Sequence, residues 1–203
     1  MSDAPTGTSV HLALHPEHPS AVIATVSGPR TNTARALLSM LAFRPVDEHT
    51  MLLARIDHEE PYYANLAASL LRQEQATVHI TPELQKEIDT EWTWAGHPMP
   101  WLNRDEIRLA SAEAQQIHDE IQSGRLVIHL HADDGHTIVA AGTYQHAVSV
   151  HLHGEDHLRV VSGSYDTPNE AITEFERLYG EAVRTGPAPA TDTERRPPRP
   201  PPP

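Results

Sequence analysis

The chain has 203 residues and no cysteine, and its 28 acidic and 15 basic side chains give a formal net charge of −13 at pH 7 with histidine neutral. The absence of cysteine excludes disulfides, thiolate metal sites and a cysteine nucleophile. The acidic charge disfavours nucleic-acid binding, which depends mainly on Lys and Arg neutralising phosphates. The apolar runs are far shorter than the roughly 20 residues that span a bilayer, and the N-terminus lacks the basic segment of a secretory signal. We therefore predict a cytoplasmic protein with neither a membrane nor a nucleic acid as its partner.

The N-terminal half is expected to contain a flexible arm followed by an α/β unit. Residues 1–19 are polar and rich in proline and histidine, with little periodicity, which predicts the arm. Residues 20–92 alternate three apolar, β-branched runs with three segments of helical spacing, and this order predicts a small α/β sandwich. The predicted strands are residues 21–27, 51–56 and 76–80. Thr31 or Asn32 is the expected cap of the first helix, and Thr81 is the expected cap of the third.

A linker is predicted at residues 93–102, which are rich in tryptophan. Gly96, Pro98 and Pro100 disfavour regular structure there, while the tryptophans favour burial.

Residues 103–184 are predicted to form a helix, a four-stranded antiparallel meander and a second helix. Asn103 with Glu106, and Thr167 with Glu170, have the spacing of capping boxes at the two helix starts. Between the helices the apolar period changes to two, which is typical of strands. The predicted fold class is therefore α+β.

The C-terminal residues 185–203 contain eight prolines and almost nothing to bury. This composition predicts a disordered tail.

Histidine is the conspicuous residue type, with fifteen in the chain. Two His-x-His pairs lie on predicted strands of the meander: His129, His131, His151 and His153. Side chains two apart on a strand share a face, and the strand between the pairs carries small side chains at 140–142, so we expect the four imidazoles to converge opposite the apolar residues. Zinc, copper, nickel and iron accept such nitrogen ligands. The alternative is a solvated sheet face that titrates near pH 6.5 without any metal.

A second candidate is the segment Asp57-His58-Glu59-Glu60, which follows a predicted strand and begins a helix. These residues could pair a general base with an acid. Acidic side chains at a helix N-terminus also complement the helix dipole, and this is the interpretation that we favour.

Four stretches of the chain resemble a family of uncharacterised proteins from actinomycetes. They are LARIDHEEPYYA at 53–64, EWTWAGHPMPW at 91–101, LVIHLHADDGHT at 126–137 and SVHLHGEDHLR at 149–159. The resemblance implies a bacterial, cytosolic setting. It implies no activity, cofactor or catalytic residue.

The sequence leaves two functional hypotheses. The sequence lacks four familiar enzyme motifs: the serine-hydrolase elbow, the Walker loop, the His-Glu-x-x-His zinc motif and the dinucleotide fingerprint. We therefore predict a non-enzymatic protein-binding or regulatory module, with another protein as its partner and no cofactor. The alternative is a metal-dependent enzyme that holds a divalent transition metal with the four histidines of the meander.

Overall fold

A computed structural model describes residues 7–18, 20–90, 102–133, 136–146 and 148–187. The chain divides into two compact units, residues 1–100 and 101–203. Over the described residues, each unit combines helices with a five-stranded sheet, so the predicted α+β class is confirmed. Within the same ranges, no helix is both long and apolar enough to cross a membrane.

The first unit has the elements β1 (Ser9–Leu14), β2 (Val22–Ser27), α1 (Thr31–Met40), β3 (Arg44–Pro45), β4 (Thr50–Leu53), α2 (Glu60–Gln73), β5 (Thr77–Ile80) and α3 (Pro82–Asp89). Its sheet has the order β3-β4-β2-β1-β5, in which β1 and β5 are parallel and the other pairs are antiparallel. The three predicted strands are β2, β4 and β5, and the three predicted helices follow them. The addition of β1 and β3 makes the sheet mostly antiparallel.

The prediction of a flexible arm over residues 1–19 is wrong for residues 9–14. These residues form β1, which lies between β2 and β5, and its Val10 and Leu12 are fully buried. The alternation is only six residues long and lies among histidines and prolines, so its local signal is weak. The strand is stabilised by hydrogen bonding to a neighbour on each side, which is a tertiary effect.

Local capping signals give a mixed result in the first unit. The Thr81 side chain accepts a hydrogen bond from the Leu84 N–H at 3.4 Å, and Pro82 begins α3 as predicted. The expected cap of α1 is wrong, because Arg30 occupies the N-cap position and no side chain caps that helix.

The second unit has the elements α4 (Arg104–Gln122), β6 (Leu126–Asp133), β7 (Ile138–Tyr144), β8 (Ser149–Gly154), β9 (Val160–Tyr165), α5 (Pro168–Tyr179) and β10 (Arg184–Thr185). Its antiparallel sheet has the order β10-β6-β7-β8-β9, which confirms the predicted meander and adds β10 at one edge. Asn103 and Glu106 form the predicted capping box. The Thr167 side chain accepts from the Glu170 N–H at 3.3 Å.

Two predicted segments have boundaries that the structure moves or leaves undescribed. The predicted tail begins at 185, yet Thr185 pairs with Leu130, and the Gly186 N–H donates to the His129 carbonyl at 2.8 Å. Residues 188–203 lie outside the described residues, as does all of the predicted linker except Leu102.

The two helices of the second unit cover opposite faces of its sheet. On one face, Ile117 of α4 packs in a cluster with Leu126, Ile128, Ala140, Val150 and Leu152. On the other face, Phe175 of α5 packs with Leu130, Ala132 and Ala141. With a helix on each side, neither face of the sheet is simply solvated, contrary to the alternative interpretation of the histidine pairs.

Candidate functional site

A β-bulge in β6 decides where the first histidine pair lies. Ile128 pairs with Gly142, and Leu130 pairs with the adjacent Ala141, so His129 is an extra residue on its strand. One inserted residue reverses the inside-outside alternation from that point on. Leu126 and Ile128 therefore face α4, whereas Leu130 faces α5.

The four histidines consequently do not share a face. His131 pairs with Ala140, which belongs to the α4 side, whereas His151 pairs with Ala141 on the α5 side. His153 lies two residues beyond His151 on β8 and shares its face. Directly paired residues project to the same face of a sheet. The side chain of His131 is therefore on the α4 face, and those of His151 and His153 are on the α5 face. The predicted convergence of four imidazoles is wrong, because β6 does not keep a regular register.

His151 is a core residue beneath α5. Its side chain is 6% exposed, and its Nε2 lies 2.7 Å from the Ala171 carbonyl oxygen in α5. A carbonyl can only accept, so Nε2 carries the proton and Nδ1 accepts from the Tyr165 hydroxyl at 3.0 Å. The ring also packs edge-on against Phe175, with 5.3 Å between centroids. Both ring nitrogens are therefore occupied by hydrogen bonds that join β8, β9 and α5.

The first pair is also engaged in hydrogen bonds within the sheet. The Nε2 atom of His129 lies 2.9 Å from Thr143 Oγ1, which in turn lies 3.0 Å from Oγ of the fully buried Ser149. This network gives the buried hydroxyl a partner across three strands. Nδ1 of His131 donates to the Gly186 carbonyl at 3.1 Å, which holds the chain after β10 against β6.

Metal coordination has little geometric support in this arrangement. Three of the four predicted ligands use a ring nitrogen within the protein, and one of them lies on the other side of the sheet. In the part of the chain that the structure describes, no group of three or more His, Asp or Glu side chains is placed to hold a metal ion. The hydrogen bonds of His129, His131 and His151 are better explained as structural contacts between elements of the second unit.

The segment before α2 contains a buried carboxyl group. Glu60 is 1% exposed, and its Oε1 accepts from the Arg55 backbone N–H at 2.6 Å. Its Oε2 is buried and has no hydrogen-bond partner. Burial raises the pKa of Glu60, while the hydrogen bond from Arg55 and the charges of His58 and Arg55 act in the opposite direction.

The surroundings of Glu60 indicate that this segment shapes the turn into α2. The guanidinium of Arg55 lies 4.2 Å from the centroid of the Tyr63 ring, which anchors the end of the preceding segment on the helix. His58 has a φ of 55°, a left-handed conformation that is uncommon for a residue other than glycine. Glu59, like Glu60, is buried rather than solvated. The helix-start interpretation of this segment is favoured, although burial of its acids was not expected.

The sequence analysis did not identify β9, the last strand of the predicted meander, as a candidate site; its sequence is VVSGSY. It lies at one end of the second sheet and contains neither a charged residue nor a proline. Val160 and Val161 are 48% and 40% exposed. Exposed sheet edges bind other strands unless they are short, charged, interrupted or covered.

The other described sheet edges are shorter than β9, whose own protection is a register shift at Ser162. Strands β3 and β10 have two residues each, with Pro45 in the first and Arg184 in the second, and β5 has four residues. The signal for β9 in the sequence is the absence of Lys, Glu and Pro from a segment that is predicted to be a strand. It becomes meaningful only when the topology places that segment at an edge.

Comparison with protein-family models, with curated proteins and with solved structures finds no match to this chain. The resemblance to the actinomycete family therefore stays an expectation.

Proposed function

We propose that this chain is a non-enzymatic cytoplasmic module that binds another protein by strand addition at the β9 edge. The observation that carries the proposal is the exposed, uncharged, six-residue strand at the end of the second sheet. In strand addition, the backbone N–H and C=O groups of the edge provide affinity, and the alternating side chains provide selectivity.

The side chains of β9 present a different surface on each face of the sheet. Val160 pairs with His153 and Tyr165 pairs with Ser149, so both project to the α5 side. Val161 pairs with Leu152 and therefore projects to the α4 side. On the α5 side, a partner strand would contact Val160 at one end of β9 and Tyr165 at the other. On the α4 side, it would contact Val161. The partner that fits is an extended segment rich in β-branched and aromatic residues.

The histidines that suggested a metal-dependent enzyme give that alternative little support. His151, His129 and His131 each hydrogen-bond a group that belongs to the fold. Substitution of any of the three is therefore expected to remove a hydrogen bond that stabilises the second unit.

The test is selection of displayed random peptides of about ten residues on the full chain. Val160→Lys/Val161→Lys blocks the edge with the lysines that natural edges carry, and both positions are exposed enough for the charges to reach water. Leu109→Lys is the matched control, because Leu109 is 61% exposed but lies on α4.

The expected result is enrichment of extended peptides rich in β-branched residues. Their affinity should fall at least about tenfold on the doubly substituted edge and stay unchanged on Leu109→Lys. Circular dichroism checks that each variant is folded. Selection of no peptides by a chain that is also monomeric in solution, or selection of peptides that bind all three proteins equally, would refute strand addition at β9.

A further inference from the structure

We propose that the partner strand is β9 of a second copy of this chain, and that the two copies pair antiparallel about a two-fold axis between Ser162 and Gly163. This inference rests on the proposed function, because it names the occupant of the same edge. Three properties of the strand favour this occupant: the matching of faces, the position of a bulge, and the charges at the two ends.

The faces match in this register. A two-fold axis at the centre of the strand sets Val160 opposite Tyr165 of the second copy, and Val161 opposite Ser164 of the second copy. Val160 and Tyr165 both project to the α5 side of their own sheet, as their partners on β8 show. Val161 and Ser164 both project to the α4 side, because they pair with Leu152 and Val150. Each face of the joined sheet would therefore continue across the axis, with a valine–tyrosine contact at each end.

The bulge in β9 selects for a partner with the same irregularity. His151 pairs with Gly163 and Leu152 pairs with Val161, so Ser162 is an extra residue on β9. A bulge bends an edge and interrupts pairing with a regular strand, which is one way that proteins protect edges. In a symmetric pair the bulges of the two copies lie together at the axis. The half of β9 before the bulge in one copy then pairs in register with the half after the bulge in the other copy. A regular foreign strand can keep its register with only one half of β9, and we expect it to bind more weakly than a second copy.

The residues that flank β9 are oppositely charged. Arg159 immediately precedes the strand, and the exposed Asp166 immediately follows it. Antiparallel pairing about the proposed axis brings Arg159 of each copy to Asp166 of the other, which produces two symmetric ion pairs. Parallel pairing in register would instead place like charges together.

A single pair of six-residue strands with one ion pair at each end is a small interface. Complexes that bury less than about 1,200 Å² are typically weak or transient. We therefore expect a concentration-dependent equilibrium with a dissociation constant of about 10 to 100 μM rather than a permanent dimer.

Sedimentation equilibrium of the full chain tests this inference, over about 1 to 300 μM protein and at about 0.15 M salt, where the Debye length is near 8 Å and the net charge is screened. The wild-type chain and Leu109→Lys should dimerise equally. The Val160→Lys/Val161→Lys chain should remain monomeric over the same range.

A charge test fixes the register. Arg159→Asp alone and Asp166→Arg alone each set like charges against one another in the proposed dimer, so each should weaken self-association about tenfold. Mixed in equal amounts, the two variants carry complementary ends and should form a heterodimer with near wild-type affinity. A change that merely disturbed the monomer would not be rescued by mixing.

The outcomes separate this inference from the function on which it rests. A monomeric wild-type chain that still selects edge-binding peptides would overturn the second copy as partner and leave strand addition intact. A dimer that resists Val160→Lys/Val161→Lys, or charge variants that do not recover on mixing, would overturn the proposed pairing. A monomeric chain that selects no edge-binding peptides would overturn both proposals.

Discussion

Replacing His151 with alanine separates a structural histidine from a metal ligand. The substitution removes a ring that is 6% exposed, together with hydrogen bonds to the Ala171 carbonyl and the Tyr165 hydroxyl. A typical hydrogen bond contributes about 1 kcal/mol, and truncation of a large buried side chain usually costs about 2 to 5 kcal/mol. Some of the space can be filled by movement of Phe175 and Tyr165. We expect a loss of about 2 to 4 kcal/mol in the free energy of unfolding.

Two matched variants isolate the cause of this loss. His153→Ala changes a half-buried residue on the same strand and face, and should cost less than about 1 kcal/mol. Tyr165→Phe removes one hydroxyl and should cost about 1 kcal/mol.

Urea denaturation followed by far-UV circular dichroism measures all three variants. An unchanged slope with urea concentration would show that the unfolded state is not altered. Hydrogen exchange at the β8 amides would assign the loss to the second unit. Equal losses for His151→Ala and His153→Ala, or a loss below about 0.5 kcal/mol for His151→Ala, would refute the core role assigned to this ring.

Three further changes test other parts of the structure. Deleting residues 1–14 should unfold the first unit, because it removes β1 with the buried Val10 and Leu12; a deletion chain with native circular dichroism and protected β2 amides would contradict this. Truncation after residue 187 should leave the stability to urea unchanged. Truncation after residue 183 should lower the free energy of unfolding by about 1 to 2 kcal/mol, because the β10 hydrogen bonds are lost. Equal stability of the two truncated chains would show that β10 contributes nothing. The pKa of Glu60 is raised by burial above its ordinary value of 4.5, so its protonated form is favoured by folding, and this stabilisation is lost as pH rises through the pKa of the folded state. Glu60→Gln should therefore be more stable than the wild-type chain at neutral pH. In urea titrations this difference should shrink as pH falls through the raised pKa of the folded state towards 4.5, and a difference that grows in acid would have the wrong sign.

Much of the secondary structure was predictable because its signals are local. The side-chain oxygens of Thr81, Asn103 and Thr167 reach backbone N–H groups two or three residues away, so these caps depend on a few neighbouring residues. The change of apolar period from helical to alternating was a similarly local signal, and it identified the four strands of the meander.

The predicted convergence of the four histidines is wrong because it depended on register. Leu126, Ile128 and Leu130 alternate regularly in the sequence, and this pattern predicts one buried face. With a helix on each face of the sheet, an apolar side chain can be buried on either side, so the bulge at His129 leaves no mark in the hydrophobic pattern. Tertiary packing therefore set the register of β6. This register places His131 and His151 on different faces of the sheet.

By itself, the sequence determined the fold class, the positions of most helices and strands, and the acidic charge, since these depend on composition and on contacts within a few residues. Only the tertiary structure decided that β1 belongs inside a sheet, that His151 is buried, and that β10 joins the β6 edge and leaves β9 at the other. Each of these depends on which segments far apart in the chain lie side by side. The segment Val160–Tyr165 has the sequence of an ordinary strand, and only its position at the end of the sheet makes it an edge with which a partner strand can be proposed to pair.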